Sequence, residues 1–143
     1  MPRSVIHYFT EDIRFTLKHK TIIKNWLRDA IAAEGYLLEE LNFIFCSDEY
    51  LLGINQQFLN HDTYTDVITF DNSEVLKTIA GDIFISVGRI RENAKQFKLD
   101  FRDEICRVMI HGTLHLLGYK DKTKAAKLQM TEKEDYYLAR LAF

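Results

Sequence analysis

The segment FRDEICRVMIHGTLHLLG, residues 101–118, restricts the fold of this chain more than any other stretch. Val108, Ile110, Leu114, Leu116 and Leu117 make it the most apolar helical segment present, and a helix with so little polar surface belongs in a core. The rest of the chain must therefore cover it. It must also accommodate His111 and His115, because an imidazole buried without a partner is costly.

The cover is legible in the other segments. SVIHYF, near the start, is short and β-rich and predicts a first strand. TIIKNWLRDAIAAEGY, residues 21–36, sets Ile22, Ile23, Trp26, Leu27, Ala30 and Ile31 at helical spacing, with Gly35 placed to end the helix. LNFIFCS is a continuous apolar run of the kind found in buried strands, and Ser47 at its end can cap a helix through DEYLLGINQQFL. DTYTDVITFD and GDIFISVG predict two strands lying side by side, with a loop carrying Asn72 and Ser73 between them. RIRENAKQF is helical, and a last helical segment runs from about residue 122 to 141, with Thr131 and Glu134 spaced as a capping box inside it. Strands and helices do not alternate as strict βαβ units. The expectation is an α+β fold, a small mixed β-sheet covered by helices, in one domain spanning residues 1–143.

Composition narrows the function. At 47% hydrophobic and 28% charged residues the chain has globular rather than disordered composition. Its formal net charge of -2 means that a polyanionic partner must be met by a local patch. Cys46 and Cys106 sit apart in apolar runs, as buried thiols of a reducing compartment do. The first residues lack the pattern of a secretory signal, and no apolar run approaches the roughly 20 residues that span a bilayer. A cytoplasmic protein with no membrane partner is expected.

His111 and His115 are four residues apart, so on a helix both can reach one ion. Catalytic zinc usually takes three protein ligands and keeps a position for water, so a third ligand must come from a segment that turns back. Gly118 can end the helix at positive φ, and Asp121 follows three residues later. His111, His115 and Asp121 form a coherent ligand set. The alternative is a pair of core histidines satisfied by backbone carbonyls. The spacing is metzincin-like, but a metallopeptidase of that kind needs glutamate directly after the first histidine, where this chain has Gly112.

TDVITF at 65–70, GDIFIS at 81–86 and HGTLHLLGYKD at 111–121, in that order, resemble the YbeY family of bacterial rRNA maturation factors. The family's own patterns are similar to HGxLHLxGYDH, TDVLSF and a GDI-type strand, and the likeness runs from about residue 42 to 141. The resemblance implies a metal-dependent, single-strand-specific endoribonuclease that matures the 3′ end of small-subunit rRNA, working with the small ribosomal subunit and its assembly factors. It implies one zinc per chain on His111 and His115, with the family's third histidine falling on Asp121. A carboxylate there leaves the site with about +1 charge instead of about +2, which predicts a less acidic bound water. A family arginine before the TDV strand falls on Leu59, which removes one candidate phosphate clamp.

Other residues are candidates for supporting roles. Asp66 and Asp82 are either partners of the site or strand-edge carboxylates. Lys120, Lys122, Lys124 and Lys127 flank Asp121 and can contact phosphate or simply face solvent. Arg89, Arg91, Lys95, Lys98 and Arg102 form a second basic run with the same two readings. Tyr64, Phe70 and Tyr119 can stack on bases or pack in the core, and Met130 is a core residue or part of the metal floor. Three functions remain open at this point: the endoribonuclease, a ribosome-assembly binding factor whose metal is structural, and a metallopeptidase, which Gly112 opposes.

Overall fold

A computed structural model describes residues 3–143. The elements in chain order are β1 (Val5–Thr10), α1 (Lys20–Ala33), β2 (Leu37–Cys46), α2 (Asp48–Leu59), β3 (Val67–Asp71), β4 (Thr78–Ser86), α3 (Val87–Gln96), α4 (Phe101–Leu116) and α5 (Lys124–Leu138). The sheet order is β1-β2-β4-β3. β1 and β4 run parallel to β2, and β3 closes one edge antiparallel to β4. The fold is α+β, a four-stranded mixed sheet with five helices.

Alternation along the strands decides which face each helix covers. Ile79, Ile83 and Ile85 of β4 point to one face and join Phe43 and Phe45 of β2 in the main core with α1, α4 and α5. On β2 both Leu38 and Leu41 are buried, three residues apart, because the register shifts between Leu38 and Glu40 and resets the alternation. The opposite face carries a smaller cluster, where Leu51 and Ile54 of α2 meet Cys46 and Ile68. α4 is the central helix, with nine of its residues buried, and it packs tightly on the sheet at Gly112. A Cβ there would stand 2.9 Å from Ile83 Cγ2, so position 112 has no room for the glutamate a metzincin peptidase needs. Cys46 and Cys106 are buried free thiols, each pushed up to about 12 by burial in apolar surroundings.

Several boundaries differ from expectation for physical reasons. The strand expected over 62–71 begins only at Val67, because residues 61–63 bond to α2 instead of to the sheet. Asn60, at φ 56, ends α2, Asn55 Nδ2 donates to the Thr63 carbonyl at 2.7 Å, and His61 N–H donates to the Asn55 carbonyl at 3.0 Å. The Thr131/Glu134 capping box does not form. Thr123 caps α5 by accepting from the Ala126 N–H, Thr131 is interior to that helix, and Glu134 is turned into the core. No helix among the described residues is long and apolar enough to cross a membrane.

Candidate metal centre

α4 ends as its sequence suggests. Leu117 is the C-cap, Gly118 follows at φ 101, and the Tyr119 N–H donates back to the Leu114 carbonyl at 3.1 Å. This reversal brings Asp121 under the last turn of the helix. His111, His115 and Asp121 each offer one ligand atom, all within 4.8 Å of one another.

The geometry fixes what those atoms are. His115 Nδ1 lies 3.0 Å from the Tyr119 carbonyl oxygen, which can only accept, so Nδ1 carries the proton and Nε2 the lone pair. His111 Nδ1 lies 2.6 Å from Glu134 Oε2, which leaves its Nε2 as the free position too. The two Nε2 atoms are 3.0 Å apart, and Asp121 Oδ2 is 3.3 and 3.4 Å from them. Three acceptors thus face one point with no donor among them. A tetrahedral zinc at its usual bond lengths needs donors roughly 3.3 Å apart, so the set fits such an ion.

His111 registers the same demand for a cation. Burial alone would lower its pKa, but the bond to Glu134 and the negative charges of Glu134, Asp121 and Asp66 raise it above the ordinary imidazole value.

Two structures behind the donors hold them in position. Glu134, on α5 and 6% exposed, accepts from His111 and, at 2.8 Å, from Arg107 Nη1. Arg107 also reaches Asp135 at 2.7 Å. On the other side, the Tyr119 hydroxyl donates to Glu34 Oε1 at 2.6 Å, and the same carboxylate takes Lys133 at 3.1 Å and the Tyr137 hydroxyl. Burial pushes the Glu34 pKa up, but these three donors outweigh it and leave it below the usual carboxylate value. The turn after α4 is therefore pinned to α1 and α5.

The donors open into a cleft of about 540 Å³ whose walls include Asn55, Leu59, His61, Asp66, Thr69 and Lys122. Asp66 faces this cleft, and burial raises its pKa against the opposing effects of His111 and of the backbone N–H groups of Asp66 and Val67. Glu104 is raised as well, by burial and by the charge of Asp66.

The candidates from the sequence divide accordingly. Asp82 lies away from the cleft and is engaged by Asn42 at 3.0 Å and Asn72 at 3.3 Å. Of the flanking lysines Lys122 lines the cleft, whereas Lys120 and Lys124 do not. Tyr119 is committed to Glu34, Phe70 packs edge-on to Phe58 and Phe84, and Met130 is a core residue. Tyr64 is half exposed, with its hydroxyl on Glu49 and Arg89 over its ring. Glu134, His61 and Asn55 escaped sequence reasoning. A signal for Glu134 existed, because with Met130 and Tyr137 it forms a buried stripe at helical spacing on α5.

The family model for endoribonuclease YbeY matches residues 6–142. An endoribonuclease YbeY of Cytophaga hutchinsonii is 50% identical over 139 residues, which cover 97% of each chain. One of Flavobacterium psychrophilum is 53% identical over 127 residues, covering 89% of this chain and 90% of its own. The solution structure of a Thermotoga maritima protein superposes with a TM-score of 0.66 at 30% identity, over 96% of this chain and 89% of the other. The chain belongs to the endoribonuclease YbeY family.

Proposed function

We propose that this chain is a zinc-dependent, single-strand-specific endoribonuclease. On this reading it works as one cytoplasmic domain, matures the 3′ end of small-subunit rRNA, and has the small ribosomal subunit and its assembly factors as partners. The observation that carries the reading is the meeting of three lone-pair donors, His111 Nε2, His115 Nε2 and Asp121 Oδ2, at the wall of an open cleft. Three protein ligands leave a position for water or substrate, as in catalytic zinc sites rather than closed structural ones.

A bound zinc supplies Lewis acidity toward a phosphoryl oxygen and lowers the pKa of a water. The chain's own residues do the rest. Glu134 and the Tyr119 carbonyl hold the two imidazoles in the tautomer that presents Nε2. Asp66, a carboxyl of raised pKa in the cleft wall, is placed to take and return a proton. Lys122 supplies a cation for a phosphate next to the scissile one.

One observation favours a second reading. Leu59 lies in the cleft wall, 42% exposed, and offers no charge where the family's arginine would stand, as in a ribosome-assembly factor that binds but does not cut. A cleavage assay on single-stranded and duplex RNA of one sequence separates the two. The nuclease reading expects cutting of the single strand only, abolished by chelator and restored by zinc; zinc-loaded protein that binds the strand and leaves it intact supports the assembly factor.

A further inference from the structure

The cleft beside the metal is a poor holder of a polyanion. Its walls set Lys122 against Asp66 and Asp121, so even a divalent ion brings the local charge to only about +1. A second cavity, of about 470 Å³, has the opposite character. It lies between the segment joining β1 to α1, the helix α3 and the start of α4. Arg14, Lys18, Arg91 and Arg102 line it, with His19 beside them and Asp100 as the one acid.

These cations are mostly left unneutralised by the fold. Arg3, Arg89 and Arg107 form ion pairs with Glu40, Asp48 and Glu134. Among the described residues Arg14, Lys18 and Arg91 form none, and Arg102 has its neighbour Asp103 at 3.7 Å and stands over the Phe143 ring at 4.5 Å. The cavity also has an aromatic wall. Phe15 and Phe101 meet edge to face with centroids 6.1 Å apart, and the Arg91 guanidinium lies 5.4 Å from the Phe101 ring centre. Unpaired cations around partly exposed rings are what a flexible single strand requires, since phosphates take the charge and a splayed base takes a ring face or a guanidinium plane.

We propose that this cavity is a second RNA-binding site, in which Arg14, Lys18, Arg91 and Arg102 hold the phosphates of single-stranded RNA while Phe15 and Phe101 receive a base. It rests on the reading of the chain as a ribonuclease. It places most of the affinity for substrate away from the metal, so that the cleft need not attract the polyanion unaided.

The test is fluorescence polarisation of the full, zinc-loaded chain with a labelled 2′-O-methyl single strand of about twelve nucleotides, within the span one such surface covers. The 2′-O-methyl group blocks attack by the neighbouring oxygen and helps keep the probe intact. Arg14→Gln/Lys18→Gln removes two phosphate contacts. It is expected to bind at least tenfold more weakly at 0.1 M salt, and to reduce the magnitude of the slope of log affinity against log salt by about 1.4. Phe15→Leu, which keeps the wall apolar, is expected to lose about fivefold or more with an unchanged slope. Lys77→Gln/Arg140→Gln, an equal charge change elsewhere, is expected to stay within twofold of wild type.

Wild type that binds the strand, with Arg14→Gln/Lys18→Gln matching it in affinity and slope, overturns the second site and leaves the ribonuclease reading standing. Wild type that fails to bind the strand at any salt overturns both. A polyglutamate peptide that displaces the strand at equal charge concentration overturns RNA as the occupant in favour of an acidic protein segment.

Discussion

The two histidines of the metal centre are aimed by different kinds of structure. His115 is set by its own turn, since its Nδ1 meets the carbonyl of Tyr119, four residues on, in the reversal that Gly118 permits. His111 is set from another helix, by Glu134 of α5, whose carboxylate is anchored in turn by Arg107. The first arm is backbone, and no side-chain truncation at Tyr119 removes it. The second is a buried charged contact and depends on α5 docking on α4. A site built this way couples metal affinity to the packing of α5 through one histidine and shields the other from it.

Breaking the α5 arm should have the largest effect on that contrast. Glu134→Gln keeps the shape but replaces the carboxylate that Arg107 and His111 share, and loss of such a partner typically lowers metal affinity by about 10- to 100-fold. Competition with a zinc chelator measures this; an unchanged zinc affinity would show that Glu134 packs without orienting His111. Gly118→Ala attacks the backbone arm. At φ 101 a Cβ is strained, and the expected cost is about 1–2 kcal/mol of stability together with weaker zinc binding, read by thermal melts with and without metal.

The smallest effect is expected from Tyr119→Phe, which leaves the carbonyl to His115 and removes only the hydroxyl bonded to Glu34. Stability should fall by about 0.5–1.5 kcal/mol while zinc affinity stays within about threefold. The pH dependence has a definite sign. Because the Glu34 pKa is lowered on folding, its stabilising contribution is complete above the unfolded carboxyl's value of about 4.5 and is lost as pH falls through the folded value. Acid unfolding of Tyr119→Phe should therefore be shallower than that of wild type over the region below about pH 4.5, measured by circular dichroism.

The same division separates what the sequence makes legible from what it hides. Helix α4, the glycine that ends it and the two-histidine, one-aspartate set are local features, spaced by helical periodicity and one turn, and a single chain displays them. The sheet follows from alternation and apolar runs, although the start of β3 did not, because the bonds of Asn55 to Thr63 and His61 pull that segment toward α2. Glu134, Glu34 and the cavity at Arg14 depend on which helices meet, and nothing in their neighbouring residues announces those meetings. Glu134 even mimicked a cap, since Thr131 precedes it at capping-box spacing in a helix whose N-cap, Thr123, lies eight residues earlier.

The most direct test of the account is zinc content and RNA cleavage measured on the same samples of wild type, His111→Ala and Asp121→Ala. The account predicts about one zinc per chain in wild type, as three convergent donors imply, and loss of both metal and single-strand cleavage in each variant. Asp121→Ala that retains its zinc and still cuts would contradict the three-donor centre.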